Sequence, residues 1–140
     1  MPIPLTVTRT GPARFTANVR GHSVHTDQSI KGGGADEHPS PLELLGAALG
    51  TCVALYTTRF CEARGLDATG LAVQVTTEQA PDSKRIGRFA LTLLLPPTVP
   101  EEYHPLLERV ARTCPVHHTL SHPAEIAVMV AHPNAEPAGV

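Results

Sequence analysis

The stretch from Ser40 to Gly65, SPLELLGAALGTCVALYTTRFCEARG, constrains this chain more than any other. Ser40 is a good N-cap, Pro41 follows where a missing N–H is harmless, and Glu43 completes an S-x-x-E capping box. Gly65 reads as a left-handed C-terminal cap. No proline interrupts the run between them, so it is expected to form one long helix. Leu45, Leu49, Cys52, Tyr56 and Phe60 recur at steps of three or four and make one apolar stripe. That stripe places Cys52 in the middle of a buried seam. Gly46, Ala47, Ala48 and Gly50 leave room for another backbone to come close. At about 100° per residue, Cys61 points to the opposite side of the helix, so the two helical thiols cannot pair with each other.

Around this helix the rest of the chain alternates. Leu5–Arg9, Arg14–Val19 and His22–Thr26 are short and rich in β-branched residues, and Gly11-Pro12 and Arg20-Gly21 separate them. They read as an antiparallel meander. Ile30–Pro39 follows as a flexible loop, whose three glycines lack the Lys-Ser/Thr of a phosphate loop. Beyond the helix, Leu71, Val73, Val75 and Thr77 alternate on one face, and Phe89, Leu91, Leu93 and Leu95 do the same, which predicts a hairpin. Thr98 and Glu101 resemble a second helix start, and Pro105 argues for a kink or a delayed start near residue 104. Cys114-Pro115 opens a short helix with Cys114 as cap. Ile126–Val130 is expected to close the chain as a strand.

One domain covers residues 1–140: a meander in 1–30, the long helix in 40–65, and the hairpin, helix, short helix and last strand in 71–130. The class is α+β, a curled antiparallel sheet of about six strands packed on one long and one shorter helix.

Composition excludes several functions. A formal charge of −2, with nine Arg and two Lys scattered along the chain, gives no basis for binding nucleic acid. No apolar run reaches the ~18 residues that span a bilayer. The N-terminus lacks the flank and apolar core of a signal peptide and reads as mature sequence. Three cysteines make a poor disulfide framework, and a reducing cytoplasm is the expected setting.

The cysteines carry the chemistry. A thiol reacts as thiolate, and helix N-termini or cations favour that form. Cys114 has the first feature by position. Cys52, in mid-helix, needs a cation brought by tertiary structure, and otherwise serves as a small buried hydrophobe, which is also the reading for Cys61. Cys114, His117, His118 and His122 lie close in sequence, but the adjacent histidines diverge on a helix and no second cluster completes a metal site.

SPLELLGAALGTC, followed some sixty residues on by CPVHHTL, resembles the osmotically inducible protein C / organic hydroperoxide resistance (OsmC/Ohr) family. The loop KGGGADEHPSP and the CPVH segment resemble its general OsmC-like branch. The resemblance implies an OsmC-like fold, an intertwined homodimer with active sites at the interface, and a thiol-dependent peroxidase without a cofactor. Cys52 matches the peroxidatic cysteine and Cys114 the resolving one, with a dithiol or lipoyl-type reductant restoring the pair. An arginine of the meander stabilises the thiolate in the family; Arg20 is the nearest match, with Arg9, Arg14 and Lys31 as other cations. The family's orienting glutamate slot holds Leu42 here, one residue before Glu43. That offset turns the carboxylate by ~100° and favours a capping role. A non-catalytic protein that binds a small ligand or senses redox state is the alternative.

Overall fold

A computed structural model describes residues 2–82 and 84–133. β1 (Thr6–Arg9), β2 (Phe15–Val19) and β3 (His22–Thr26) form an antiparallel meander in that order. The long helix α1 spans Pro41–Ala63 and leads into the hairpin β4 (Ala72–Gln79) and β5 (Ile86–Leu94). A single 3-10 turn, Glu101–Tyr103, precedes α2 (His104–Ala111), and α3 (Pro115–Ser121) follows.

Both ends of α1 are closed by the residues that announce them. The Ser40 hydroxyl accepts from the Glu43 N–H at 3.3 Å, and the Ser40 N–H donates to the Glu43 carboxylate at 3.0 Å. At the other end Gly65 takes φ +67°, the Leu66 N–H donates to the Cys61 carbonyl, and the Gly65 N–H donates to that of Glu62. This is a Schellman closure, which glycine adopts without a Cβ penalty. Pro105 sits in the first turn of α2, so the helix starts late and the turn before it is 3-10.

α1 packs on β4, α2, α3 and β5. Gly46, Leu49, Gly50, Val53, Thr57 and Cys61 are its buried positions. The buried line is therefore rotated from the expected stripe: Leu45 is exposed and Cys52 and Tyr56 are half-buried. Cys61, on the far side from Cys52, is fully buried because the second half of the helix is covered by a different partner. Leu49, Val53 and Cys114 form one core with Val73, Phe89 and Leu91 around it. Cys61, Val99 and Leu107 form another. The close approach anticipated at the glycines is made by β4: a Cβ on Gly50 would lie 2.8 Å from Val75 Cγ2. α1 is long and apolar enough to cross a membrane by length and composition, and here it is the helix on which the sheet and the other helices pack.

The expected single sheet of about six strands is instead two antiparallel sheets, of three and two strands, among the described residues. The last strand is absent. Ile126, Val128 and Val130 are 86%, 82% and 96% exposed and their backbone pairs with no described strand. A strand exists only where another edge takes its N–H and C=O groups, and among the described residues no edge reaches that segment.

The glycine loop before α1 is tied down, contrary to the flexible loop expected. Asp27, 2% exposed, accepts N–H groups from Gln28 (2.8 Å), Ala35 (3.3 Å) and Glu37 (3.2 Å), while its own N–H donates to the Pro39 carbonyl. Arg14 pairs with Glu37 beside it. Gly34 passes so close that a Cβ there would lie 2.5 Å from the Asp27 carboxylate. The Gln28 N–H, with those of Glu37 and Ala35 and the nearby Arg14 charge, holds the Asp27 carboxyl below its usual range despite opposing burial. A depressed folded value stabilises the fold above the unfolded aspartate range and loses that contribution as pH falls through it. Urea midpoints of wild type and Asp27→Asn, at fixed protein concentration, are expected to differ at pH 7 and converge toward pH 3. A gap that persists in acid would reject this account.

Candidate active site

The site is built where α3 meets the middle of α1. Cys114 ends the segment after α2 in extended backbone, φ −70° and ψ 145°, which is the N-cap conformation. Pro115 fixes the next φ, so the chain turns directly into α3. The cap oxygen usual at this position is replaced by sulfur: Cys114 Sγ accepts the His117 N–H at 3.3 Å. Apolar packing by Ala111, Val116 and Leu120 presses this corner onto Leu49 and Val53 of α1.

The result brings Cys52 and Cys114 together as free thiols in one cluster. Cys114 is 0% exposed, and Cys52 is half-buried. Burial pushes the Cys114 thiol up, the His117 N–H pulls it down, and the adjacent Cys52 thiol adds to the upward push. Such a pair can hold a disulfide or pass a sulfur-centred oxidation from one member to the other. Cys61 stands apart in the second core, its thiol pushed up by burial.

The other site residues expected from sequence are placed differently. Arg20 and Gly21, with φ +50° and +82°, form the two-residue turn of the β2–β3 hairpin. Arg20 is exposed there, in a meander whose packing lies mainly within itself, and one protomer does not bring it to Cys52. Arg9 donates to the carbonyls of Gly11 and Pro12, Arg14 serves the Asp27 loop, and Lys31 lies exposed in that loop. Glu43 is committed to the cap: the Ser40 N–H, then the Ser40 hydroxyl, hold its carboxyl below the usual range. His117 Nδ1 lies 3.1 Å from the Ser121 hydroxyl, and the His118 and His122 rings are 5.9 Å apart. No group of three or more metal-ligating side chains occurs among the described residues.

Two further neighbours stand on α1: Tyr56, already on the expected stripe, and Arg59, which the sequence reading did not single out. Tyr56 packs against the thiol cluster, and the Arg59 guanidinium lies 5.8 Å from its ring centroid. Their spacing from Cys52, four and seven positions, puts all three on one helix face, and that spacing was the available signal. Alongside, a cavity of about 570 Å³ is lined by Leu42, Leu45, Leu49, Phe89, His117 and Leu120, among others.

A long helix bearing Cys52, a short helix capped by Cys114 beside it, and a β-hairpin packed on the long helix define an α+β protein with a paired-thiol site. A family model described as OsmC-like protein matches residues 33–129, and the chain belongs to that family. A sequence search among curated proteins finds no match. Solved structures agree in fold. A proposed osmotic stress induced and detoxification response protein from Psychrobacter arcticus 273-4 is 24% identical, with 85% of this chain and 88% of that one covered, at a TM-score of 0.77. An OsmC-like protein from Mycoplasma pneumoniae is 18% identical over 88% and 89% of the two chains, at 0.73. The organic hydroperoxide resistance protein OhrB of Bacillus subtilis is 14% identical over 88% and 93%, at 0.59. At these identities the likeness is one of fold, and the fold is shared with organic hydroperoxide resistance proteins.

Proposed function

We propose that this chain is a thiol-dependent peroxidase that reduces organic hydroperoxides or hydrogen peroxide in a reducing cytoplasm. The carrying observation is the meeting of Cys52 and Cys114, from elements far apart in sequence, in one apolar cluster. The Cys52 thiolate attacks the O–O bond of ROOH, ROH leaves, and Cys52 becomes a sulfenic acid. The Cys114 thiol then attacks that sulfur, water leaves, and a Cys52–Cys114 disulfide forms. A dithiol or lipoyl-type reductant returns both thiols and is itself oxidised to a disulfide.

A homodimer completes the reading. The chain exposes 10522 Å², whereas a compact monomer of 14.8 kDa exposes about 7,000 Å². The excess is of the order that obligate dimers bury. Val7 and Phe15 of the meander, at 58% and 39% exposure, and the unpaired Ile126–Val130 segment are surfaces a second copy would cover. In that assembly a meander cation, Arg20 foremost, would reach the partner's thiol pocket.

Cys114→Ser tests the order of events. The variant is expected to consume about one equivalent of peroxide per chain and then stop, with Cys52 trapped as a dimedone adduct. Sustained turnover with a dithiol would overturn the assignment of Cys114. The ~570 Å³ cavity beside the site, lined by leucines and Phe89 together with Arg85, Arg88, His117 and Ser121, is of ligand size and favours a second reading, a non-catalytic binder. Stoichiometric oxidation of the wild type without turnover, whatever thiol reductant is supplied, would select it.

A further inference from the structure

We propose that the reductant enters the Cys52–Cys114 disulfide at Cys52, and that Cys114 is the sulfur expelled. This rests on the peroxidase reading and adds the direction of its last step. Attack on a disulfide is in-line: the incoming thiolate approaches along the S–S axis from behind the sulfur it strikes. Behind Cys114 lies its own protein core. Leu49 and Val53 are 2% and 1% exposed, Ala111, Val116 and Leu120 pack against the same cluster, and Cys114 itself is 0% exposed. That wall belongs to the same chain, so association with a second copy can only thicken it. Cys52 is the one residue of the pair that its own chain leaves partly open.

The expelled sulfur is also provided for. Cys114 Sγ already accepts the His117 N–H at 3.3 Å, a donor aimed at the position where negative charge appears on release. Burial then favours reprotonation of the released thiolate, which limits its return attack. The balance is closed. A dithiol's thiolate bonds to Cys52 as the Cys52–Cys114 bond breaks, and Cys114 leaves with the electron pair and takes a proton. The dithiol's second sulfur attacks the first, releasing the Cys52 thiolate and a cyclic disulfide.

The test uses a monothiol, which stalls at the mixed disulfide. The full chain is oxidised with one equivalent of peroxide or, separately, with diamide. It is exposed briefly to N-acetylcysteine, quenched with N-ethylmaleimide and digested with trypsin. Cleavage after Lys31, Arg59, Arg64 and Arg112 places the three cysteines on three separate peptides. The expected result is N-acetylcysteine on the Cys52 peptide at least ten-fold over the Cys114 peptide, with maleimide on Cys114. Equal labelling, or an excess on Cys114, overturns the direction of attack and leaves the peroxidase reading standing. A disulfide formed by diamide but not by peroxide sinks the peroxidase reading alone, and the direction is still read from the diamide sample. Failure of both oxidants to join the two sulfurs overturns both.

Discussion

Cys52→Ser is expected to reduce peroxide consumption with a dithiol to the uncatalysed background, a loss of at least ~10³-fold, the scale on which removal of a reacting nucleophile registers. The reason is electronic, since serine fits the volume of the half-buried position but its hydroxyl is a far weaker nucleophile at neutral pH. The measurement is the initial rate of cumene hydroperoxide or hydrogen peroxide loss, with thiol titration alongside. Cys61→Ala is the matching control. Its sulfur lies at 0% exposure in the other core, so turnover should persist. Full activity in Cys52→Ser would end the proposal, and loss of activity in Cys61→Ala with an unchanged fold would relocate it.

Leu107→Ala carries the largest expected effect on stability, a loss of about 2–5 kcal/mol. Leu107 is 1% exposed and joins α2 to Cys61 of α1 and to Val99, with Leu93, Leu95 and Tyr103 around it. Truncation removes buried methyl groups and leaves a cavity that two rigid helices and a strand end cannot collapse. The melting temperature should fall by roughly 10 °C for a domain of this size. Protein concentration must be held fixed, because the proposed dimerisation would shift apparent stability by mass action. A loss below about 1 kcal/mol would show that α2 is not a stabilising partner of α1. Peroxide turnover at low temperature should survive, since the affected core is not the thiol cluster.

The legible parts of this protein share one property: their signals are local. Ser40, Pro41, Glu43 and Gly65 mark the ends of α1 through bonds spanning three to five residues, and each bond is present. The β4–β5 hairpin was legible because Val73, Val75 and Thr77 alternate opposite Leu93, Leu91 and Phe89 in register. The cap role of Cys114 followed from the proline beside it. Asp27 was not legible, because a lone aspartate after a strand looks like any turn residue until ten later residues fold back onto its carboxylate. The burial of Cys61 was legible from residue type, but the partner that covers it was not. A helix periodicity assumes one covered face, and α1 is covered on different sides along its length. Ile126–Val130 has a strand pattern, but pattern specifies a face and not a neighbour.

Sequence alone determined the two ends of α1, the existence of the hairpins and the start of α3, and which two sulfurs deserved attention. Only the tertiary structure decided that those two cysteines share one cluster, that Cys114 is fully buried while Cys52 stays partly open, and that Arg20 sits at a hairpin turn. Caps and alternation depend on residues a few positions apart. The meeting of Cys52 with Cys114 depends on the summed packing of α3, α2 and the hairpin against one helix, and no short window of sequence contains that sum.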